Sequence, residues 1–221
     1  LAAARVIEPG TVLSHGSALA LYGLPLHGVP FERPTVTRHR PGGGSRRSSA
    51  LVCANLPLDG VVGEVDGIPV TSPARSIIDV TRTAGLKSGV CAADEAIRTG
   101  LCTTSDLRAE AEAAKGRTGV ARARRLPDLS TGLAESVLES LIRLILVLGG
   151  VPEPELQVRL GVRGGRYFRV DFYWRRWRLI GEADGFGKYG ATREEIRGNW
   201  QAERERQRLL EDEGNVFLRW T

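Results

Sequence analysis

Residues 168–185 read FRVDFYWRRWRLIGEADG, and this stretch decides the fold of the C-terminal half. Apolar and polar side chains alternate on both sides of a short arginine-rich break, which is typical of two neighbouring β-strands. If Arg175 and Arg176 form a two-residue hairpin loop, the strands pair antiparallel. Trp174 then faces Trp177. A loop of three residues would shift the pairing by one residue and invert one strand, so the length of the turn sets the register.

This register predicts one acidic face and one apolar face. Counting back from the loop places Asp171 opposite Ile180. Glu182 and Asp184 then project from the same face as Asp171. The opposite face carries Val170, Phe172, Trp174, Leu179 and Ala183. Clustered carboxylates repel one another and lose hydration, so a divalent cation among them would remove an energetic cost.

The flanking segments predict the order helix, three strands, helix, strand. Leu133 to Leu148 is apolar around most of its circumference and is followed by two glycines, which indicates a largely buried helix. The remaining elements are expected at 157–162, 167–174, 178–183, 192–213 and 216–220. This order belongs to an α/β (α+β) layer fold with a mixed sheet.

The composition fits a globular protein with an anionic partner. Its 221 residues are 42% hydrophobic, and 31 basic against 26 acidic side chains give a net charge of +5. Nearly all the positive charge is arginine, which binds phosphate through paired hydrogen bonds. DNA is therefore an expected partner, although an ordinary soluble surface accounts for the same excess. The longest apolar run, 141–148, is too short to cross a bilayer, so we expect no membrane partner.

Cysteine and histidine placement limits the chemistry. Cys53, Cys91 and Cys102 are odd in number and form no C-x-x-C pair, so we expect buried thiols in a reducing cytoplasm. All three histidines lie before residue 40. A Ser-His-Asp triad or a histidine-ligated metal confined to the C-terminal half is thereby excluded.

The N-terminal half reads as a smaller α+β domain. A short helix is expected at 14–22 with Ser14 as its N-cap, and β-prone pieces separated by glycine and proline follow it. Ser72 and Pro73 begin a further helix, with the serine as cap and the proline in the first turn.

An arginine-rich stretch, 115–130, is expected to be a basic helix or a linker between two domains. Contact with DNA and a solvated helix face explain its charge equally well. We place the boundary in this stretch, which gives domains 1–125 and 126–221. The chain contains no methionine, even at position 1, so part of the natural N-terminus is expected to lie outside it.

The C-terminal motifs carry a resemblance to a nuclease superfamily. The segments SVLESLIRLIL, YFRVDFYW, LIGEADGFGKYG and ERERQRLLEDEGNVFLRW, within 133–221, resemble the very-short-patch-repair-like branch of the PD-(D/E)XK nucleases. The resemblance implies a restriction-endonuclease-like mixed sheet flanked by helices. It also implies hydrolysis of DNA phosphodiesters with Mg²⁺ or Mn²⁺ as cofactor.

The resemblance also assigns candidate site residues. By motif position, Glu139, Asp171 and Glu182 are the expected metal ligands, and Asp184 joins them because it follows on the same face. Asp184 stands where the superfamily motif has a lysine, which leaves room for a weak or inactive enzyme. Lys188 is expected to replace that lysine by reaching the phosphate or the attacking water. The expected catalytic residues are Asp171, Glu182 and Lys188.

The N-terminal half resembles a different family. VLSHGSALALYGLP, GIPVTSPARSIIDVTR and AADEAIRTGLCTTSDL resemble the domain of AbiEi-type antitoxins, in which a winged helix that binds promoter DNA precedes this region. A cognate toxin or a second copy of the chain is therefore an expected partner. Ser72, Arg75 and Asp79 are the polar residues most typical of the resemblance. A helix cap with an i,i+4 ion pair and a ligand site are the two interpretations, and the first is favoured.

Two functions follow from these patterns, and a protein–protein module within a defence system is a third possibility. One is a Mg²⁺-dependent DNA endonuclease in a defence or toxin–antitoxin context. The alternative is a non-catalytic DNA-binding antitoxin or transcriptional regulator in which a nuclease fold persists as a scaffold.

Overall fold

The computed structural model describes residues 10–39, 46–47, 52–184 and 193–220. The chain divides into two compact units, Leu1–Val137 and Leu138–Thr221. The boundary predicted between residues 125 and 126 falls inside a helix, Val120–Leu129, that packs on other helices of the first unit. Its arginines made this segment resemble a linker, but Ala123 and Leu126 are fully buried.

The first unit is an α+β arrangement around one mixed sheet. In chain order its described elements are β1 (Thr11–Leu13), α1 (His15–Leu21), β2 (Thr35–Arg38), β3 (Arg46–Arg47), β4 (Val52–Asn55), β5 (Val62–Val65), β6 (Ile68–Thr71), α2 (Pro73–Ala84), α3 (Leu86–Arg98), α4 (Thr104–Ala113) and α5 (Val120–Leu129). The strand order is β3-β4-β2-β1-β6-β5. Strand β1 pairs antiparallel with β2 and parallel with β6, so the sheet is mixed.

Helix α2 forms where the sequence predicts it. The Ser72 side chain accepts a hydrogen bond from the backbone N–H of Arg75 at 3.3 Å, and Pro73 occupies the first turn. An N-terminal proline lacks only a hydrogen bond that the first turn does not make. Ile77 and Ile78 are fully buried, so the helix is anchored by its apolar face.

The second unit has the predicted order of elements. They are α6 (Val137–Leu148), β7 (Glu155–Val162), β8 (Arg166–Trp174), β9 (Leu179–Ala183), α7 (Arg193–Asp212) and β10 (Val216–Trp220). Strands β7, β8 and β9 form an antiparallel meander, and β10 pairs parallel with β9 after the α7 crossover. The sheet order is β10-β9-β8-β7, which confirms the predicted α/β fold class with a mixed sheet.

Two apolar clusters cover this second sheet. The α6 cluster consists of Ile142, Phe172, Trp174 and Ala183, with Leu156 and Leu179 packed against it. The α7 cluster consists of Val162, Val170, Tyr173, Ile180 and Leu210, with Val158, Leu160 and Phe168 packed against it. The central strands are therefore buried between two layers of apolar side chains, which accounts for the run of three apolar aromatic residues, Phe172 to Trp174, at the end of β8.

The turn between β8 and β9 is longer than predicted. Residues Arg175–Trp177 form a short 3-10 helix, and Arg178 follows with φ of 49°. Trp174 therefore pairs with Leu179 instead of Trp177. The predicted two-residue loop is wrong because this helical turn and its left-handed residue take four positions. Pairing moves by two residues, and an even shift leaves the inward and outward rows of β9 unchanged.

The alternation of side chains between the two faces of the sheet is interrupted at one position in β7 and at the facing position in β8. Leu156 packs against the α6 cluster, whereas Val158 packs against the α7 cluster. Their partners in the register, Phe172 and Val170, divide in the same way. Between them Gln157 has φ of 54°, a left-handed conformation that reverses the pleat. Val170 was predicted on the face of Phe172, and this prediction is wrong because strict alternation does not hold across the reversal.

No helix in the part of the chain that the structure describes combines the length and the apolar character that a membrane span requires.

Candidate functional site

The hairpin brings Asp171 and Glu182 together in the second unit. Phe172 pairs with Gly181 across β8 and β9. Continuing this register by one residue places Asp171 opposite Glu182. Asp171 Oδ2 accepts a hydrogen bond from the backbone N–H of Ala183 at 2.9 Å. Because of the longer turn, Asp171 lies against Glu182 and not, as predicted, against Ile180. Below, these two residues are called the carboxylate pair.

Burial is the main influence on the pKa of Glu182. Its side chain lies in the sheet with 5% of its surface exposed. Burial raises the pKa of the Glu182 carboxyl above its usual range because the charged form is poorly solvated. An ion pair with Arg206, whose Nη2 lies 2.7 Å from Glu182 Oε1, opposes this increase in pKa, and the charge of Asp171 adds to it. Within the pair, the negative charge of Asp171 thus disfavours ionisation of Glu182.

Two arginines join the neighbouring acids into a network. Arg206 also donates to Glu203 Oε1 at 2.9 Å. Arg219 donates to Glu203 at 2.7 Å and to Asp184 Oδ2 at 2.7 Å. The network runs Glu182, Arg206, Glu203, Arg219, Asp184 with alternating charge. Asp184, a predicted metal ligand, is therefore engaged by a guanidinium in this structure.

Glu139 and Gln157 meet on the α6 side of the sheet. Glu139 is 8% exposed, and its Oε2 accepts a hydrogen bond from Gln157 Nε2 at 2.9 Å. The Gln157 Oε1 atom is buried without a hydrogen-bond partner. An unsatisfied buried oxygen is energetically costly, so it marks a position where a ligand or water would be stabilising. The only sign of Gln157 in the sequence is a polar residue within an apolar strand. Its left-handed backbone, with φ of 54°, could not be predicted from the sequence and is visible only in the structure.

The predicted four-acid metal site is only partly assembled. The structure unites Asp171 with Glu182 but engages Glu139 through Gln157 and Asp184 through Arg219. Among the described residues, no three His, Cys, Asp or Glu side chains are grouped so as to hold a metal ion. Lys188, the remaining predicted catalytic residue, lies outside the described residues.

The first unit contains a separate buried ionic cluster. Asp79 is 0% exposed and accepts hydrogen bonds from Arg75 Nε at 2.7 Å and from Arg82 Nη1 at 2.6 Å. Arg82 also donates to the Thr118 carbonyl at 3.1 Å, which ties α2 to the segment before α5. This geometry agrees with the favoured interpretation, in which the Arg75–Asp79 pair is an i,i+4 contact within α2.

The same unit buries two of the three thiols. Cys91 and Cys102 are buried and free. Burial raises the pKa of Cys91 to about 12 and that of Cys102 to about 11. Both are therefore protonated and unreactive at neutral pH, as expected for structural cysteines. The Cys53 side chain lies outside the described residues.

A family model described as the AbiEi antitoxin C-terminal domain matches residues 11–129, more than half of the chain. The chain belongs to this AbiEi family. The matched region runs from β1 to the end of α5 and contains all three motifs that carried the antitoxin resemblance. Membership of the AbiEi family places the chain in a toxin–antitoxin context.

Two curated relatives extend the comparison beyond the AbiEi region. They are Uncharacterized protein MT2308 of Mycobacterium tuberculosis (strain CDC 1551 / Oshkosh) and Uncharacterized protein Rv2248 of M. tuberculosis (strain ATCC 25618 / H37Rv). Each is 31% identical over 199 residues, which cover 89% of this chain and 71% of the relative. A match of this extent reaches into the second unit. No solved structure matches the chain, so the nuclease resemblance of 133–221 stays a prediction.

Proposed function

We propose that this AbiEi-family chain is a DNA-acting component of a toxin–antitoxin system whose second unit hydrolyses phosphodiesters with a divalent cation. The observation that carries the proposal is the carboxylate pair, in which Asp171 and Glu182 lie against each other on adjacent central strands. Two acids at this position are unfavourable by themselves, and a cation between them would offset their repulsion.

The available oxygen donors fit Mg²⁺ or Mn²⁺. These ions prefer carboxylate and amide oxygens. Asp171 and Glu182 would hold the cation, and the buried Oε1 of Gln157 is a further oxygen without a hydrogen-bond partner. Bound Mg²⁺ would supply a water of lowered pKa and a positive charge for the phosphoryl oxygens. In this proposal Glu139 acts through Gln157, to which it is hydrogen-bonded, and not as a direct ligand.

Arg206 and Lys188 have different proposed roles. Of the two carboxylate oxygens of Glu182, Arg206 contacts Oε1. Arg206 would therefore orient the carboxylate while Oε2 faces the cation. Lys188, six positions after Glu182, is proposed to contact the scissile phosphate or the attacking water. A fixed positive charge there would stabilise the transition state, in which charge builds up on the phosphoryl oxygens.

Plasmid nicking in Mg²⁺ tests the proposal. We expect wild-type protein to nick plasmid DNA in Mg²⁺ and not in EDTA. D171N and E182Q should each lower the rate by about 100-fold or more, the scale of losing a group that stabilises transition-state charge. The matched control is E205Q, because Glu205 is an exposed acid of α7 paired with Arg166. Equal rates for wild type, D171N, E182Q and E205Q would show that the carboxylate pair has no catalytic role.

The arginine network favours a second candidate function. Arg206 and Arg219 already offset much of the negative charge of Glu182, Glu203 and Asp184 without a metal ion. A sheet stabilised in this way could serve as a scaffold in a non-catalytic DNA-binding antitoxin or regulator. Thermal unfolding with added Mg²⁺ separates the two functions, since a ligand at 100 times its Kd stabilises the folded state by about 2.7 kcal/mol. A rise in Tm that D171N abolishes supports the metal site, and an unchanged Tm supports the scaffold.

We further propose that the first unit contacts a protein partner, either a cognate toxin or a second copy of the chain. The support is membership of the AbiEi antitoxin family. Size-exclusion chromatography with light scattering, performed on the chain alone and on the chain co-expressed with its neighbouring genes, would distinguish the two partners.

A further inference from the structure

Strand β10 forms one edge of the second sheet. Among the strands that the structure describes, its neighbour is β9, on one side. The backbone N–H of Val216 and the carbonyl of Trp220 form hydrogen bonds of 2.9 Å and 2.8 Å to backbone groups that flank β9. Because successive residues of a strand direct their backbone groups to opposite sides, Phe217 and Arg219 direct theirs outward. The outer side of β10 therefore offers two donors and two acceptors to a further strand.

One face of this edge strand is apolar and open to solvent. Phe217 packs with the α7 cluster, whereas Trp220 packs with the α6 cluster. Alternation along the strand places Val216 and Leu218 on the same face as Trp220. These two side chains are 60% and 43% exposed. An apolar edge strand with outward backbone groups is suited to pairing with a strand of another chain.

The opposite edge of the same sheet has features that oppose such pairing. Strand β7 carries the charged residues Glu155 and Arg159, and Gln157 between them has a left-handed backbone. Charged side chains and irregular backbone are common ways of blocking an edge strand. In Val216–Trp220 the backbone is extended throughout, and the one charged side chain, Arg219, is held on the α7 face by two carboxylates at 2.7 Å. The β10 edge is therefore the one at which this sheet accepts a further strand.

The sequence of β10 is complementary to itself when two copies run antiparallel. With Leu218 on a two-fold axis, Phe217 of each copy lies opposite Arg219 of the other, and Val216 lies opposite Trp220. Phe217 and Arg219 carry the outward backbone groups, so these two opposed pairs exchange four hydrogen bonds. No like charges oppose each other. Each arginine lies beside an aromatic ring, a contact that Arg219 and Phe217 already make within one chain at 5.5 Å.

We infer that two copies of the chain associate through β10, which joins two four-stranded sheets into one continuous sheet. The interface is symmetric and uses the same strand of both copies. Leu218 of each copy packs against Leu218 of the other at the axis, where opposed Cα atoms lie about 4.5 Å apart. A second copy matches this edge in both backbone pattern and charge. The association does not depend on the proposed hydrolysis, and it is separate from the contact proposed for the first unit.

Light scattering after size-exclusion chromatography of the full chain, at a series of concentrations, tests the inference. We expect wild type to reach twice the mass of one chain. L218K and L218E each remove an apolar contact and place like charges at the axis, so each should raise the dissociation constant of the dimer about tenfold or more. An equimolar mixture of L218K and L218E should recover the dimer, because opposite charges then face each other.

The matched control is V62K. Val62 is 49% exposed in β5, which is an edge strand of the sheet in the first unit. V62K introduces the same charge at a similar position and should dimerise like wild type. Equal loss of the dimer in V62K and L218K would show that the effect is not specific to β10. A dimer that L218K leaves intact would use another surface, and either result overturns the inference.

Disulfide cross-linking tests the register of the two strands. L218C should form covalent dimers on mild oxidation, because opposed Cα atoms at the axis lie within the range of a disulfide, about 4.4–6.8 Å. V216C is the control, since the same register places its two copies about 13 Å apart along the strand. Wild type treated in parallel accounts for the native cysteines. Equal cross-linking of V216C and L218C would contradict this pairing.

Two further outcomes would overturn the assignment. Wild type that stays monomeric at every concentration would refute it. A chain that is monomeric alone but binds the product of a neighbouring gene, with loss of binding in L218K, would assign β10 to a foreign strand. Plasmid nicking by a monomeric wild type refutes only the association and leaves the hydrolytic proposal intact. Circular dichroism of each variant verifies that it is folded.

Discussion

At the scale of single residues, buried charges have the largest expected effects. Asp79 is fully buried in the first unit, and its carboxylate forms ion pairs with the guanidinium groups of Arg75 and Arg82. Removing one member of a buried ion pair leaves the remaining charge without compensation, and this loss exceeds the net value of the pair. The stability of the AbiEi region should therefore depend strongly on this one carboxylate.

We expect D79A to lower the free energy of unfolding by about 3–5 kcal/mol, because two buried arginines lose their counter-charge. Urea denaturation followed by circular dichroism measures the change. E112A is the control, since Glu112 forms an exposed ion pair with Arg124 at 2.9 Å and such pairs contribute about 0–1 kcal/mol. Equal losses for the two variants would contradict the role given to Asp79.

His15 should make stability depend on pH. It is buried with φ of 51°, and burial lowers its pKa, an effect that Asp79 opposes and that Arg82 and Arg75 reinforce. Between the lowered folded pKa and the unfolded value of about 6.5, the unfolded chain binds more protons than the folded one. Stability contributed by neutral His15 is therefore fully present above about pH 6.5 and decreases as the pH falls below it.

The corresponding experiment compares H15N with H27N in urea denaturation from neutral to mildly acidic pH. Asparagine tolerates the left-handed backbone at position 15 and does not titrate. We expect the pH slope of the unfolding free energy between neutral pH and about pH 5.5 to be smaller in H15N than in wild type. The H27N slope should follow wild type, and a flattened H27N slope with an unchanged H15N slope would refute the assignment.

At the scale of elements, the contact between α2 and α3 depends on a missing side chain. Gly89 of α3 lies so close to Thr81 of α2 that a Cβ on it would be 2.0 Å from Thr81 Oγ1. The two helices therefore approach more closely than any larger residue would allow. Thr81 is itself fixed, since its hydroxyl donates to the Ile77 carbonyl at 2.7 Å.

We expect G89A to destabilise the first unit by about 1–3 kcal/mol through overpacking, although alanine is the better helix former. T81A removes two of the three clashing atoms, so the double variant T81A/G89A should recover part of the loss in a double-mutant cycle. Gly63 of β5 is the control, because a Cβ there meets nothing within 4 Å. G63A should change stability by less than about 0.5 kcal/mol. Additive single-variant effects would show that the two helices are not in contact at this point.

Individual helices and strands were the features that could best be predicted from the sequence. Apolar periodicity, glycine stops and the Ser72 cap identified α2, α6 and the strands of the second unit, because these signals are local. Local signals could not predict the register of β8 and β9, because it depends on the backbone conformation of Arg178 in the turn. The partners of Glu182 and Asp184 could not be inferred either, because Arg206 and Arg219 are 24 and 35 residues away in the chain.

At the scale of the whole molecule, the proposed chemistry and the family assignment belong to different units. The AbiEi match ends at residue 129, and the carboxylate pair lies in Leu138–Thr221. Binding of a metal ion at the carboxylate pair should therefore stabilise the second unit and leave the first unit unchanged.

Hydrogen exchange followed by mass spectrometry measures this directly. We expect Mg²⁺ to slow amide exchange in β8 and β9, because a ligand that binds only the folded site reduces local opening. Exchange in α2 and α3 should stay the same. D171N should remove the protection, whereas E205Q should retain it. Slower exchange throughout both units would indicate a general ionic effect instead of a site.

The four-residue turn Arg175–Arg178 restricts how the β8–β9 hairpin can change over evolutionary time. Insertion or deletion of a single residue there would interchange the two rows of β9, which would move Ile180 out of the α7 cluster and place Glu182 in the apolar layer of α6. Loss or gain of residues in pairs would keep both rows in place. Homologous chains should therefore vary in the length of this turn by even numbers of residues, and a lineage with an odd change should carry a compensating bulge elsewhere in the hairpin.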